Sequence, residues 1–222
     1  MEEANEWPGG ATLMEQLSLL SCEPQRKTRR VQEPIVRSAL IEGDCRLWLK
    51  RAWGAGPMIL WAGANPSKAD GSLDDPTMWR VMEFSARWGY GSCVMVNPIP
   101  FISSTPDEAL DWVKRAECWM IEGDLPTPEW AQWQRNITEV SRALDTASAF
   151  VAAWGNIVPP DLIRRWIHDL AESTDPDWEG GDDRKCVEWI CLGTNSNGSP
   201  RHPLSRGKSR VPNDFKPVRW AA

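Results

Sequence analysis

Four short apolar runs alternate along this chain with segments that have helical patterns. The runs cover residues 57–63, 92–101, 148–155 and 186–193. Continuous apolar runs of this length are typical of strands that are buried on both faces of a parallel sheet. Capping residues followed by proline, as in Asp75-Pro76 and Thr127-Pro128, mark the starts of helices between the runs. This alternation predicts an α/β fold with three αβα layers around a mostly parallel four-stranded central sheet.

The stretch before the first run predicts an N-terminal hairpin. "SALIEGDCRLWLKRAW" has an apolar run, a Glu-Gly-Asp turn and a second strand pattern. Residues 1–34 lack such patterns, and we interpret them as a variable N-terminal extension. The length of 222 residues then leaves residues 35–222 as a single α/β domain.

Charge and cysteine content argue against several classes of protein. The net charge of −6 argues against a general nucleic-acid coat protein. Residues 200–222 nevertheless carry six Lys/Arg against one acid, which fits either a solvated tail or a phosphate-facing segment. Six scattered cysteines without a CxxC pair argue against structural zinc, and no cofactor is expected. Without a signal peptide or a membrane-length apolar run, we expect a reduced, cytoplasmic protein that does not contact membranes.

Polar residues follow each of the four apolar runs. The stretches concerned are "GANPS" (63–67), "NPIPF" (97–101), "WGN" (154–156) and "LGTNSNGSPRHPLS" (192–205). In open α/β sheets, ligands bind beyond the carboxyl ends of the strands. The sequence therefore predicts one site built from these four loops.

Two asparagines in these loops precede prolines, which holds their backbone extended. Asn65 can position a water molecule, and Asn97 offers the donor and acceptor that match the amide-like edge of a pyrimidine. The structural alternatives are an Asx-turn at Asn65 and a satisfied buried amide at Asn97.

Three aspartates and a histidine complete the candidate chemistry. Asp70, Asp74 and Asp75 could supply a general base or bind Mg²⁺, but an Asx-turn at Asp70 and helix capping at Asp74 or Asp75 are simpler roles. His202 lies in the basic loop beside a proline, where it could stabilise an anion on a leaving group.

Long motifs in this chain resemble a bacterial and phage family known as domain of unknown function 1643. They are "GANPSKADGSLDDPTMWRVMEFSARWGYGSCVMVNPIPFISSTPDEAL", "FVAAWGN" and "CLGTNSNGSPRHPLS". The resemblance covers roughly residues 38–220 and implies no function.

The order of the motifs is also similar to that of the uracil-DNA glycosylase superfamily. This resemblance implies a glycosylase-like fold, with Asn65 holding the hydrolytic water, Asn97 reading the base and His202 stabilising the expelled base. Leu204 or Arg206 would match the wedge that enters the minor groove.

We therefore expect an enzyme, a base-flipping DNA N-glycosylase for uracil or a modified pyrimidine. Asp70 or Asp75 would help Asn65, and Trp88, Tyr90 and Asn156 would join Asn97 in binding the substrate. DNA, the expected partner, would be held by Arg201, Leu204, Arg206, Lys208 and Arg210. Two alternatives stay open. One is a Mg²⁺-dependent transferase or hydrolase of nucleotides or modified bases, and the other is a non-catalytic phage or defence protein that binds nucleic acid or a partner.

Overall fold

The computed structural model describes residues 31, 33–67, 69–122, 126–173 and 187–220. The strands in these ranges are β1 (Val36–Glu42), β2 (Cys45–Ala52), β3 (Met58–Ala62), β4 (Ser92–Val96), β5 (Ala149–Ala152), β6 (Glu188–Cys191) and β7 (Val218–Arg219). The helices are α1 (Pro76–Arg87), α2 (Pro106–Glu122), α3 (Pro128–Thr146) and α4 (Pro160–Glu172), with a 3₁₀ turn at Gly207–Ser209.

The strands form one sheet in the order β1-β2-β4-β3-β5-β6-β7. Its centre consists of the four predicted strands, because β3 is parallel to both β4 and β5, and β5 is parallel to β6. The α/β class and the parallel centre are thus confirmed. The expected number of four strands was too small, because the described sheet has seven.

The three additional strands are antiparallel and lie at the two edges. The predicted hairpin is present, and its second strand β2 also pairs with β4, which the sequence pattern did not indicate. At the other edge, β7 pairs with β6 through two residues of the basic C-terminal segment, for which no strand was predicted. A strand of two residues is too short for a periodic pattern to reveal it.

Successive residues of β3 face opposite layers of helices. Ile59 and Trp61 pack in one core with α1 residues such as Met82, whereas Leu60 and Ala62 pack in the other core with α2, α3 and α4. The predicted αβα layering follows. It agrees with the topology, because the connection from β3 to β4 runs in one direction along the sheet and the later connections run in the other.

Two of the predicted start signals act as caps. The Asp75 carboxylate accepts a hydrogen bond from the Met78 N–H at 2.7 Å, and Thr127 Oγ1 accepts one from the Trp130 N–H at 3.1 Å. Each bond satisfies a backbone donor that a helix start leaves free. The α1 cap also fixes the exit of the β3–α1 loop.

Two further expectations concern the N-terminal extension and membrane-spanning helices. The proposed extension over residues 1–34 lies almost entirely outside the described residues. None of the helices in the described ranges has the length and apolar character needed to cross a membrane.

Candidate functional site

A pocket of about 140 Å³ lies at the carboxyl edge of the sheet. This volume is well below the roughly 300 Å³ at which sites for drug-sized ligands begin, and it suits a single small ring. Residues from β2, β4 and α1 and from the loops after β3, β4, β5 and β6 line it. The side chains that matter below are Arg46, Leu49, Asn65, Asp75, Met95, Asn97, Ile157 and His202.

Asn65 connects the loops that follow β3 and β4. Its Nδ2 donates to the carbonyl oxygens of Ser103, at 2.8 Å, and Pro66, at 3.2 Å. Two backbone bonds join the same loops, from Ile99 N–H to Ala64 O at 3.3 Å and from Ser103 N–H to Pro66 O at 3.1 Å. This pattern differs from an Asx-turn, in which the side-chain oxygen accepts from the backbone. Asn65 Oδ1 takes no part in these bonds.

Asn97 lies in the floor of the pocket with only 1 % of its surface exposed. Its Oδ1 accepts a hydrogen bond from Arg46 Nη2 at 3.4 Å, and its backbone oxygen accepts one from Asn136 Nδ2 at 3.0 Å. A Cβ on Gly63 would lie 2.8 Å from Asn97 Nδ2, so glycine is what allows the amide to approach the β3 backbone. Asn97 therefore offers the pocket mainly its donor.

Arg46 reaches the pocket from β2, and the sequence analysis missed it. The residue is 3 % exposed, and its Nη1 donates to the backbone oxygen of Ala69 at 2.6 Å. Burial lowers its pKa to about 10, which leaves the guanidinium charged at neutral pH. No motif marks Arg46, because a single cation in a hairpin strand usually points to solvent.

His202 forms a third side of the pocket. Its Nδ1 accepts a hydrogen bond from the Leu204 N–H at 3.1 Å, so the neutral imidazole carries its proton on Nε2. Burial lowers the pKa of His202, although Asp75 acts in the opposite direction. Gly155, with a φ of +70°, supports this loop from the end of β5, where a Cβ would lie 3.3 Å from His202 Cβ. The imidazole is thus held as a neutral donor.

A family model described as Protein of unknown function (DUF1643) matches residues 46–204. The chain belongs to this family. No curated protein and no solved structure matched the chain in the corresponding searches. The matched segment contains every residue that lines the pocket and excludes the basic residues beyond Leu204.

The three loop aspartates of this DUF1643 protein have different positions. Asp75 lines the pocket, where it caps α1 and accepts a hydrogen bond from Ser67 Oγ at 2.7 Å. Asp70 was predicted to be catalytic, but it does not line the pocket. It forms the Asx-turn that was its alternative, and bonds from the backbone N–H groups of Ser72 and Leu73 lower its pKa.

Asp74 is a structural residue of the same loop. Its buried carboxylate pairs with Arg51 Nε at 2.5 Å and Arg37 Nε at 3.0 Å. Among the described residues, no group of three or more His, Cys, Asp or Glu side chains is arranged to hold a metal ion.

Trp88 and Tyr90 were predicted to bind the substrate, but neither lines the pocket. Helix α1 begins at the carboxyl edge of the sheet and runs back to the start of β4, so residues after it lie at the opposite edge. Trp88 stacks on Trp61 with ring centroids 5.4 Å apart, and its Nε1 donates to Phe215 O at 3.1 Å. The structure therefore places Trp88 as a partly buried residue that packs against the core.

Asn156 lies in a neighbouring, larger pocket of about 400 Å³ rather than in the small one. Its Oδ1 accepts hydrogen bonds from Asn195 Nδ2, at 2.9 Å, and from Ser199 Oγ. These bonds tie the β5 loop to the β6 loop. Ile157 lines both pockets and separates them.

The predicted DNA-binding residues are only partly brought together. Leu204, Arg206 and Arg210 line an open groove of about 490 Å³ beside the His202 loop. Arg80, which the sequence analysis missed, lines it too and anchors the segment through a 2.6 Å bond to Val211 O. Two other predicted residues do not line the groove: Arg201 donates to Thr194 O at 3.1 Å, and Lys208 is exposed in the 3₁₀ turn.

Proposed function

We propose that this protein is a base-flipping DNA N-glycosylase that acts on uracil or a modified pyrimidine. The observation that carries the proposal is the convergence of Asn65, Asp75, Asn97 and His202 on one pocket of about 140 Å³. These side chains come from three loops at one edge of the sheet, because Asn65 and Asp75 share the loop between β3 and α1. Leu49, Met95 and Ile157 add the apolar surface that a planar base requires.

The polar groups have chemically distinct roles in the proposed reaction. Asn97 Nδ2 donates to a carbonyl of the flipped base, while Asn65 Oδ1 and the Asp75 carboxylate accept hydrogen bonds from the attacking water. The bond between C1′ and the base nitrogen breaks, and its electron pair goes to the base. The water oxygen bonds to C1′, and the water proton passes to Asp75 and then to solvent.

His202 acts on the leaving group. Its Nδ1 is occupied by the Leu204 N–H, so the Nε2–H can donate to a carbonyl oxygen of the departing base. A neutral donor suits this role, because it stabilises the developing anion without needing a protonated imidazole at pH 7. The anionic base takes up a proton from solvent when it leaves.

The groove beside the pocket supplies the expected contact with DNA. Arg80, Arg206 and Arg210 give it positive charge although the whole chain carries −6. Local charge of this kind can hold phosphates while the target base enters the pocket. Leu204, which is 40 % exposed in the groove two residues after His202, would fill the space that the flipped base leaves in the stack.

A direct assay tests the proposal. The protein is incubated with oligonucleotides that carry uracil, a thymine mismatch or a hydroxymethylated pyrimidine, and alkali-labile abasic sites are measured. We expect activity on at least one substrate, and His202→Ala to reduce it by about 10²–10³-fold, the usual effect of removing an oxyanion donor. His168→Ala is the matched control, because its side chain is 73 % exposed on α4.

The same assay separates the alternatives. Activity that survives EDTA supports hydrolysis by the side chains named above, whereas activity lost in EDTA would favour a Mg²⁺-dependent enzyme. If no substrate yields abasic sites, the glycosylase proposal fails. A biological effect that survives both Asn65→Ala and His202→Ala would then favour a non-catalytic binding protein.

A further inference from the structure

Arg46 is a buried cation that pairs with no carboxylate among the described residues. Its Nη1 bonds to Ala69 O at 2.6 Å, its Nη2 makes only a 3.4 Å bond to Asn97 Oδ1, and its buried Nε has no hydrogen-bond partner. None of the ion pairs among the described residues includes Arg46. A buried charge in this state is costly unless something else pairs with it.

Arg51, on the same strand, shows how this fold satisfies a purely structural arginine. Its Nε pairs with the Asp74 carboxylate at 2.5 Å, and its other nitrogens donate to the backbone oxygens of Lys50, Asp70 and Leu73 at 2.7–3.0 Å. Both arginines are almost fully buried. Of these two arginines, Arg46 alone has an Nε without a hydrogen-bond partner, and Arg46 alone lines the pocket.

The under-used edge of the guanidinium consists of the buried Nε, which has no partner, and of Nη2, whose contact with Asn97 Oδ1 is long. Such an edge matches a pair of acceptor atoms on a planar or tetrahedral anion. Asp75, the acid that most favours the charged form of Arg46, is already engaged by Met78 N–H and Ser67 Oγ. The pocket therefore presents the fork of Arg46 together with two further donors, Asn97 Nδ2 and His202 Nε2.

We infer that Arg46 is a ligand-binding residue that pairs with an anionic edge of two acceptor atoms. Two sources share this chemistry. One is the N–C–O edge of a pyrimidine anion, which rests on the proposed function because breaking the C1′–N bond places the negative charge there. The other is the O–P–O edge of a phosphate.

Binding to the wild-type protein, measured by calorimetry, distinguishes the sources. The probes are barbiturate, a pyrimidine that is anionic at neutral pH, neutral uracil and inorganic phosphate. We expect at least one anion to bind, and barbiturate to bind at least about tenfold more tightly than uracil if the pyrimidine is the source. Arg46→Gln should weaken binding of the anion by about tenfold or more, and tenfold corresponds to about 1.4 kcal/mol of binding free energy. Arg46→Lys should restore part of the affinity.

A second variant protects the test against misfolding. Asn97→Asp places a carboxylate beside Arg46, so we expect a raised melting temperature together with at least a tenfold loss of anion affinity. Arg164→Gln is the control, because it removes an exposed arginine outside the pocket and should leave anion binding unchanged. Because Asn97→Asp also removes the Asn97 Nδ2 donor, the comparison of Arg46→Gln with Arg46→Lys decides the inference, and the melting temperature of Asn97→Asp tests whether Arg46 lacks a carboxylate partner.

The outcomes for Arg46 and for the glycosylase proposal are separable. Anion binding that depends on Arg46 supports the inference even if no oligonucleotide yields abasic sites. Conversely, if Arg46→Gln binds barbiturate and phosphate as tightly as the wild type does, or if neither anion binds the wild type, the inference is overturned even for an active enzyme.

Discussion

Adding a single methyl group at Gly63 should disturb the pocket more than it disturbs the fold. A Cβ at this position would lie 2.8 Å from Asn97 Nδ2 and 2.9 Å from Met95 Cε. Met95 Cε is the end of a flexible side chain and can move away. The Asn97 amide is almost fully buried, so its displacement moves the Nδ2 donor that faces the pocket and breaks the long hydrogen bond from Arg46.

The expected magnitudes differ for stability and for function. Overpacking of this kind typically costs about 1–3 kcal/mol, so Gly63→Ala should fold with a lowered urea midpoint. A shift of a substrate-binding group by about 1 Å can cost about 100-fold in rate. We therefore expect base release in the abasic-site assay to fall far more than stability does.

Gly71 provides a matched control in the same loop. A Cβ there would meet only Ala39 atoms at 3.9 Å, which is ordinary van der Waals contact. Gly71→Ala should therefore retain wild-type stability and activity. The reasoning is refuted if Gly63→Ala retains the wild-type urea midpoint and base release, because Asn97 would then not need its close approach to the β3 backbone.

Three further predictions concern His202, Asp74 and the basic groove. Burial depresses the pKa of His202 in the folded protein, so the unfolded chain binds a proton at this imidazole more readily. The contribution of His202 to stability is therefore complete above about pH 6.5 and is lost as the pH falls below that value. His202→Gln should reduce the decrease in urea midpoint that the wild type shows between pH 7.5 and 5. Asp74→Asn leaves Arg51 buried without its carboxylate and should cost about 3–5 kcal/mol in urea unfolding. Removing Arg206 or Arg210 should make the negative slope of log K against log salt for DNA binding less steep. The change should be about 0.9 for each phosphate that the variant no longer neutralises.

Exposed side chains supply the controls for these experiments. His168→Gln should leave the pH dependence of stability as it is in the wild type, and Asp111→Asn should leave the urea midpoint unchanged, since its ion pair with Lys114 is exposed. Lys114→Ala should keep the wild-type salt slope. If the Arg206 and Arg210 variants keep the wild-type salt slope, the groove does not contact DNA.

The parallel centre of the sheet could be predicted because continuous apolar runs and capped helices recur in strict order. The convergence of Asn65, Asn97 and His202 followed from the same topology, since parallel strands bring their carboxyl ends to one edge. The attachment of the hairpin to β4 could not be predicted, because a hairpin pattern does not specify its neighbour. That attachment is what brings Arg46 into the pocket.

Three predicted site residues lie outside the pocket, for two different physical reasons. Trp88 and Tyr90 are close to Asn97 along the chain, but α1 carries them to the opposite edge of the sheet before β4 begins. Asp70 lies in the correct loop, yet local backbone donors capture its carboxylate. The sequence pattern locates the loop, but it does not show which of the loop's carboxylates the neighbouring backbone N–H groups engage.

The cross-bracing between the β3 and β4 loops has a consequence for the kinetics of recognition. Asn65 and two backbone bonds fix these loops in the free protein, so a ligand need not order them when it arrives. The entropic cost of binding is correspondingly small, and association should proceed without a slow rearrangement of the pocket floor. Discrimination between ligands should therefore appear mainly in their dissociation rates.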